Sequence, residues 1–186
     1  MSGTLSKRLL CGTSVLMLAQ AAAWAQTAPL AGDTFILPGG ATNYGSLINV
    51  NVGGVNGFQG LFQFDLSKLP AGTTAANVSA ASLRLYVNKI GLGGSLNVNV
   101  PTGSWAEGTV TGTSGVGVGA YVAGPISVPA AGVYLSIPVT AQVQAWLNGA
   151  PNNGPAQGKG QYEKISPEVR ARFEKHFKVD FGSDES

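Results

Sequence analysis

Phe62 and Phe64 point one way along the chain while Leu61, Gln63 and Asp65 point the other, and Leu83, Leu85 and Val87 alternate in the same manner with Arg84 and Tyr86. A period of two is the mark of a strand with one buried face, so each run predicts a strand with its core side already assigned. Leu69-Pro70-Ala71-Gly72 between them is a turn signal. The same reading predicts strands at 34–37, 48–52, 60–65, 82–88, 95–100, 121–122 and 134–138. The separators are Pro38-Gly39-Gly40, Gly53-Gly54 and the glycine- or proline-rich stretches at 91–94, 101–103 and 130–132. One short helix follows the last strand, with Thr140 as N-cap, Val143, Trp146 and Leu147 as an i, i+3, i+4 stripe, and Gly149 closing it. Regular short strands with turn signals between them make this an all-β, antiparallel β-sandwich.

Two breaks in composition divide the chain. Residues 1–25 read as a signal peptide: Lys7 and Arg8 form the basic region, 15–23 the apolar region, and Ala23-Trp24-Ala25 the cleavage site. The mature chain then starts near Gln26 and is secreted, without a membrane-inserted segment, since no later apolar run reaches the roughly 20 residues of a span. Cys11 precedes the apolar region and is removed with it, so the exported core stands without disulfides.

Residues 26–158 form the sandwich domain. Its only charged residues are Asp33, Asp65, Lys68, Arg84, Lys89 and Glu107, so Asn, Thr, Ser and Gln must solvate its surface. No Lys/Arg cluster offers phosphate contacts, which excludes nucleic acid as a partner. Residues 159–186 are a charged tail. Ser166-Pro167-Glu168 reads there as a helix start, and Val169, Phe173 and Phe177 as one apolar stripe, so the tail is expected to be helical or disordered.

NYGS at 43–46, LFQFDLSKLPAG at 61–72, ASLRLYV at 81–87, SWAEGTVT at 104–111, IPVTAQVQAWLNG at 137–149 and PNNG at 151–154 together resemble, in that order, the DNRLRE domain family. The resemblance implies a jelly-roll-like sandwich of secreted bacterial and archaeal proteins, similar to carbohydrate-binding modules of polysaccharide-degrading enzymes. Members of the family usually continue beyond N-N-G with further strands, and here the charged tail stands in their place. The sandwich is therefore expected to be incomplete at its C-terminus, with one open sheet edge. The tail segment at 165–181 is in turn similar to the opening helix of the core domain of extracellular contractile injection systems.

The residue inventory argues against catalysis. The only histidine, His176, lies in the tail and no cysteine survives export, so neither a nucleophilic triad nor a zinc site can be assembled in the sandwich. Asp33, Asn43, Asp65 and Glu107 are the oxygen ligands a calcium ion could use, but they lack EF-hand spacing, and no metal or other cofactor is expected. Trp105 with Glu107 reads either as a sugar-stacking pair or as a core tryptophan beside a loop-tying glutamate, and the core reading is preferred, as it is for Trp146.

Arg84 and Tyr86 share one face of their strand, Asn88 continues it and Lys89 lies just beyond. A ring beside a guanidinium suits an acidic sugar, by stacking and by bidentate pairing with a carboxylate. These four are the candidate ligand-binding residues. The expected function is a secreted, non-catalytic carbohydrate-binding module for polysaccharide, with acidic glycans a preference within that class. The alternative is a structural or adhesive module of an extracellular or cell-surface assembly, with a protein partner engaged through the tail or the open edge.

Overall fold

The computed structural model describes residues 26–91, 93–153, 156–158 and 171–180, the last two segments by backbone and register. The signal-peptide segment 1–25 and the helix start at Ser166-Pro167-Glu168 lie outside the described residues. The strands in chain order are β1 (Leu30–Ile36), β2 (Val50–Val52), β3 (Gln59–Phe64), β4 (Ala80–Lys89), β5 (Gly94–Pro101), β6 (Val118–Val128), β7 (Val133–Pro138), β8 (Ala156–Gly158) and β9 (Ala171–Asp180), with helix α1 (Thr140–Leu147) between β7 and β8. They form two antiparallel sheets, in the orders β1-β3-β8-β5-β6 and β2-β9-β4-β7. This is the all-β sandwich expected from the alternation.

The core lies between the sheets. Phe35, Phe62, Phe64 and Val98 enter from one sheet, and Val50, Leu83, Leu85, Val87, Leu135 and Ile137 from the other. Each such side chain stabilises the fold by about 1.5–3 kcal/mol when fully buried. Gly60 permits the close approach of the two layers, since a Cβ there would stand 2.7 Å from Val50 Cγ1. A second apolar cluster, Ile36, Leu61 and Val110 with Trp105 and Val116 against it, covers the outer side of β1 and β3. Both faces of β3 are thus covered, which is why Leu61 is apolar although it alternates with Phe62.

Val143 and Trp146 of α1 are buried as expected, and Gly149 closes the helix at φ +94°. Thr140 differs from expectation. The N-cap is Val139, and the Thr140 hydroxyl instead accepts from the Ala81 N–H at 2.9 Å, tying the helix to the start of β4. Asp65 caps the turn at Leu66–Lys68, accepting from the Ser67 hydroxyl and N–H. Those two bonds, the hydroxyl's first, hold its carboxyl below the usual carboxylate range. Their contribution is therefore present above the ordinary Asp pKa and fades as pH falls through the lowered value.

The strand expected at 121–122 extends over the whole of β6. Gly119, Gly124 and Pro125 mask its period, and its ladder with β5 shifts register between Leu96 and Val98, Val98 and Asn99, and Asn99 and Pro101.

The larger correction concerns the tail. Residues Ala171–Asp180, expected to be helical or disordered, form β9 between β2 and β4. Phe173, Phe177 and Val179 hold register with Val87, Leu83 and Ala81 of β4. The Val169, Phe173, Phe177 spacing fits a helix, but a step of four is also even, so the same residues recur on one side of a strand. Lys175, opposite Leu85, is the one break in the alternation from Ala171 to Val179, and it hides the strand period. β8 likewise pairs with β3 and β5, so the segments after Asn153 add strands to both sheets where an open edge was expected.

Amide hydrogen exchange checks this arrangement: residues 171–180 should exchange slowly, in step with 81–87 of β4. Exchange there at the rate of an unstructured chain would contradict the pairing.

Candidate functional site

Burial of Leu83, Leu85 and Val87 leaves Arg84 and Tyr86 on the outer face of β4, both half-buried. Tyr86 stands directly opposite Tyr134 of β7 and Arg84 opposite Ser136. The two tyrosine rings lie 4.9 Å apart at 51°, and the Arg84 Cζ sits 4.8 Å from the centre of the Tyr134 ring. A guanidinium over a ring face at a surface site is worth about 0.5–1 kcal/mol, enough to bias the direction of the side chain. Tyr134 is 47% exposed, so two rings and a cation form a platform facing solvent. Among the residues whose side chains are described Arg84 makes no ion pair, the one salt bridge there being the exposed Lys68–Asp65 contact. On the other side of β4 the backbone register sets His176 beside Arg84 and Glu174 beside Tyr86.

The remaining two candidates take different places. Asn88 donates through Nδ2 to Asn49 Oδ1 at 2.7 Å, and its own Oδ1 is buried without a partner. Lys89 is exposed at the end of β4, where the ladder with β9 slips by one residue between Val87 and Lys89. That bulge pairs Lys89 with Arg172, whereas unbroken alternation would return it to the side of Val87. The structure thus groups Arg84 and Tyr86 tightly, sets Lys89 at the strand end and engages Asn88 with Asn49. Tyr134 is the member that sequence reading missed. Its signal was present, since Tyr134 and Ser136 alternate with Val133, Leu135 and Ile137, but only the β4–β7 register shows that it meets Tyr86.

The other sequence motifs interlock at the opposite sheet. Asn43 donates through Nδ2 to the carbonyls of Glu107 (2.8 Å) and Val110 (2.7 Å), and its Oδ1 accepts from the Gly45 N–H. Gly45 passes so close that a Cβ would stand 2.1 Å from the Glu107 carbonyl oxygen. Trp105 donates through Nε1 to the Asn153 carbonyl at 2.7 Å, while Asn152 donates to the Phe64 carbonyl. The NYGS, SWAEGTVT and PNNG segments are therefore one bonded unit, and it is the backbone of Glu107 that serves as the tie. Trp105 itself is half-buried and not fully enclosed, because it lies on the outer side of β1 and β3 where a loop alone covers it.

Of the oxygen ligands that could hold a cation, Asp33 is buried in β1, Asp65 caps its turn and Asn43 is engaged as described. Among the described residues no three His, Cys, Asp or Glu side chains come together. Asn99 of β5 donates to the Gly119 carbonyl at 3.1 Å.

The family model of carbohydrate-binding module family 96 matches residues 24–164. The chain belongs to this family, whose members are carbohydrate-binding modules. No curated protein matches the chain.

Asn43→Ala should lower stability by about 1–3 kcal/mol, the range for leaving buried polar groups unpaired, read as a shift of the denaturant midpoint. A variant as stable as the parent would show that the loop is held by other contacts.

Proposed function

We propose that this family 96 module is a secreted, non-catalytic domain that holds polysaccharide on the outer face of β4 and β7, with a preference for chains bearing carboxylates. The observation that carries the reading is the Arg84 guanidinium, aimed by the Tyr134 ring and without an ion pair among the described side chains. A uronate carboxylate supplies the acceptor pair that a planar guanidinium engages bidentately. Tyr86 and Tyr134 offer π surface to the C–H face of a sugar ring, and Ser136 adds a hydroxyl beside Arg84. Lys89 at the strand end extends the positive field along the face without sharing the stacked geometry. The ordered motifs that resemble the DNRLRE domain family begin and end within the residues matched by the family model, which supports the same class of ligand.

Catalysis is no part of this reading, because the site offers attraction and orientation but no paired acid and base. Export rests on the basic and apolar segments of residues 1–25 together with the Ala-x-Ala site.

Retention on immobilised polyuronate, compared with a neutral polysaccharide, tests the proposal. Tyr134→Ala and Tyr86→Ala should each weaken binding by about 1–3 kcal/mol with little change in thermal midpoint. Arg84→Gln should abolish the preference for the acidic chain, and Arg84→Lys should restore it only in part, since an ammonium lacks the planar fork. Binding should also weaken with added salt, as an exposed charge pair must. Full retention by all of these variants would remove the platform as the site, and absence of retention on any polysaccharide would favour a structural or adhesive role.

A further inference from the structure

We infer that the cleft beside Trp105 is a second carbohydrate subsite, built for a single neutral sugar unit and separate from the tyrosine platform. The cleft has a volume of about 350 Å³ and is lined by Ser104, Trp105, Thr109, Val110, Ser114 and Val116. That is the small end of the roughly 300–1,000 Å³ range of small-molecule clefts, which suits one sugar ring and not an extended run of them. Its chemistry is divided as a pyranose is divided. The indole, Val110 and Val116 form an apolar wall that fits the C–H face of the ring, while the hydroxyls of Ser104, Thr109 and Ser114 line the rest, Ser114 being tied to Thr111 and the other two left to face sugar hydroxyls. No charged side chain lines it, in contrast to the Arg84 platform.

The wall is fixed before any ligand arrives. The Trp105 indole is held by its bond to the Asn153 carbonyl, and the Asn43 amide pins the loop at Glu107 and Val110. Little ordering is then left for binding to impose, which favours affinity from a small contact. Ser104 makes no hydrogen bond among the described residues, and the Thr109 hydroxyl has only a long contact to the Ala106 carbonyl at 3.5 Å. Both hydroxyls therefore retain capacity for a ligand.

The two sites lie on opposite sides of the sandwich. Trp105 packs on Ile36 and Leu61, which point away from the core of the first sheet, while Arg84 and Tyr86 point away from the core of the second. One domain could accordingly hold an acidic chain on one face and a neutral unit of another chain on the other. The inference rests on the carbohydrate binding of the family and not on the platform.

Tryptophan emission gives the test, because the sandwich contains only Trp105, half-exposed, and Trp146, 6% exposed. The secreted protein carrying Tyr134→Ala is titrated with cellohexaose, laminarihexaose, mannohexaose and hexagalacturonate, with emission and acrylamide quenching recorded. At least one neutral oligosaccharide should shift emission to the blue and reduce quenching. Thr109→Val and Ser104→Ala, which change little of the packing, should each weaken that response about three- to tenfold, the equivalent of one hydrogen bond. Emission unmoved by every neutral oligosaccharide, a response to hexagalacturonate alone, or a response undiminished in both hydroxyl variants would overturn the inference. Failure of the platform is read separately, as loss of wild-type retention on polyuronate.

Discussion

Leu83, Leu85 and Val87 are at most 1% exposed, and their burial determines where the rest of β4 must stand. A strand with every second side chain in the core has no freedom to rotate the others, so Arg84 and Tyr86 face outward as rigidly as the leucines face inward. The same strand pairs with β7 on one side and β9 on the other. It is at once an inner strand of its sheet, the anchor of the core and the carrier of the candidate site. A slip of one residue would bury the guanidinium and expose the leucines together, which ties the geometry of the site to the stability of the fold.

The second structural pole works by polar contacts. A chain whose single cysteine is Cys11 forms no disulfide within itself, and its long connections need another restraint. The side chains of Asn43, Asn152 and Trp105 provide it by bonding to backbone carbonyls far away in sequence. Amides suit the task because each carries donors and an acceptor without a charge to desolvate. The motifs most visible in the sequence at this sheet are therefore those that hold loops in place, and Trp105 gains its partial exposure from standing at their junction.

The strands and their inward faces were legible because alternation reports burial directly, as at Phe62 and Phe64 or at Leu83 and Leu85. Trp146 was legible for a similar reason, its helical stripe being short and capped by Gly149. Three things were not. Pairing partners are set by topology, so nothing local shows that Tyr134 meets Tyr86. The exposure of Trp105 depends on how thinly a loop covers the outer side of β1 and β3, which composition does not encode. In β9 a four-residue spacing satisfied helix and strand alike, and Lys175 concealed the difference.

The strand β6 has an implication for how this protein behaves among copies of itself. It is eleven residues long, stands at the edge of its sheet, and exposes Val118 and Tyr121. A straight edge of that length would invite pairing with a neighbouring molecule. Its ladder is broken by three register shifts, and Pro125 has no N–H to offer. No charged residue lies within β6 to repel a neighbouring strand, so its irregular backbone is what works against such pairing. The irregularity of β6 is thus a safeguard against edge-to-edge pairing, and a change that straightens the strand removes it.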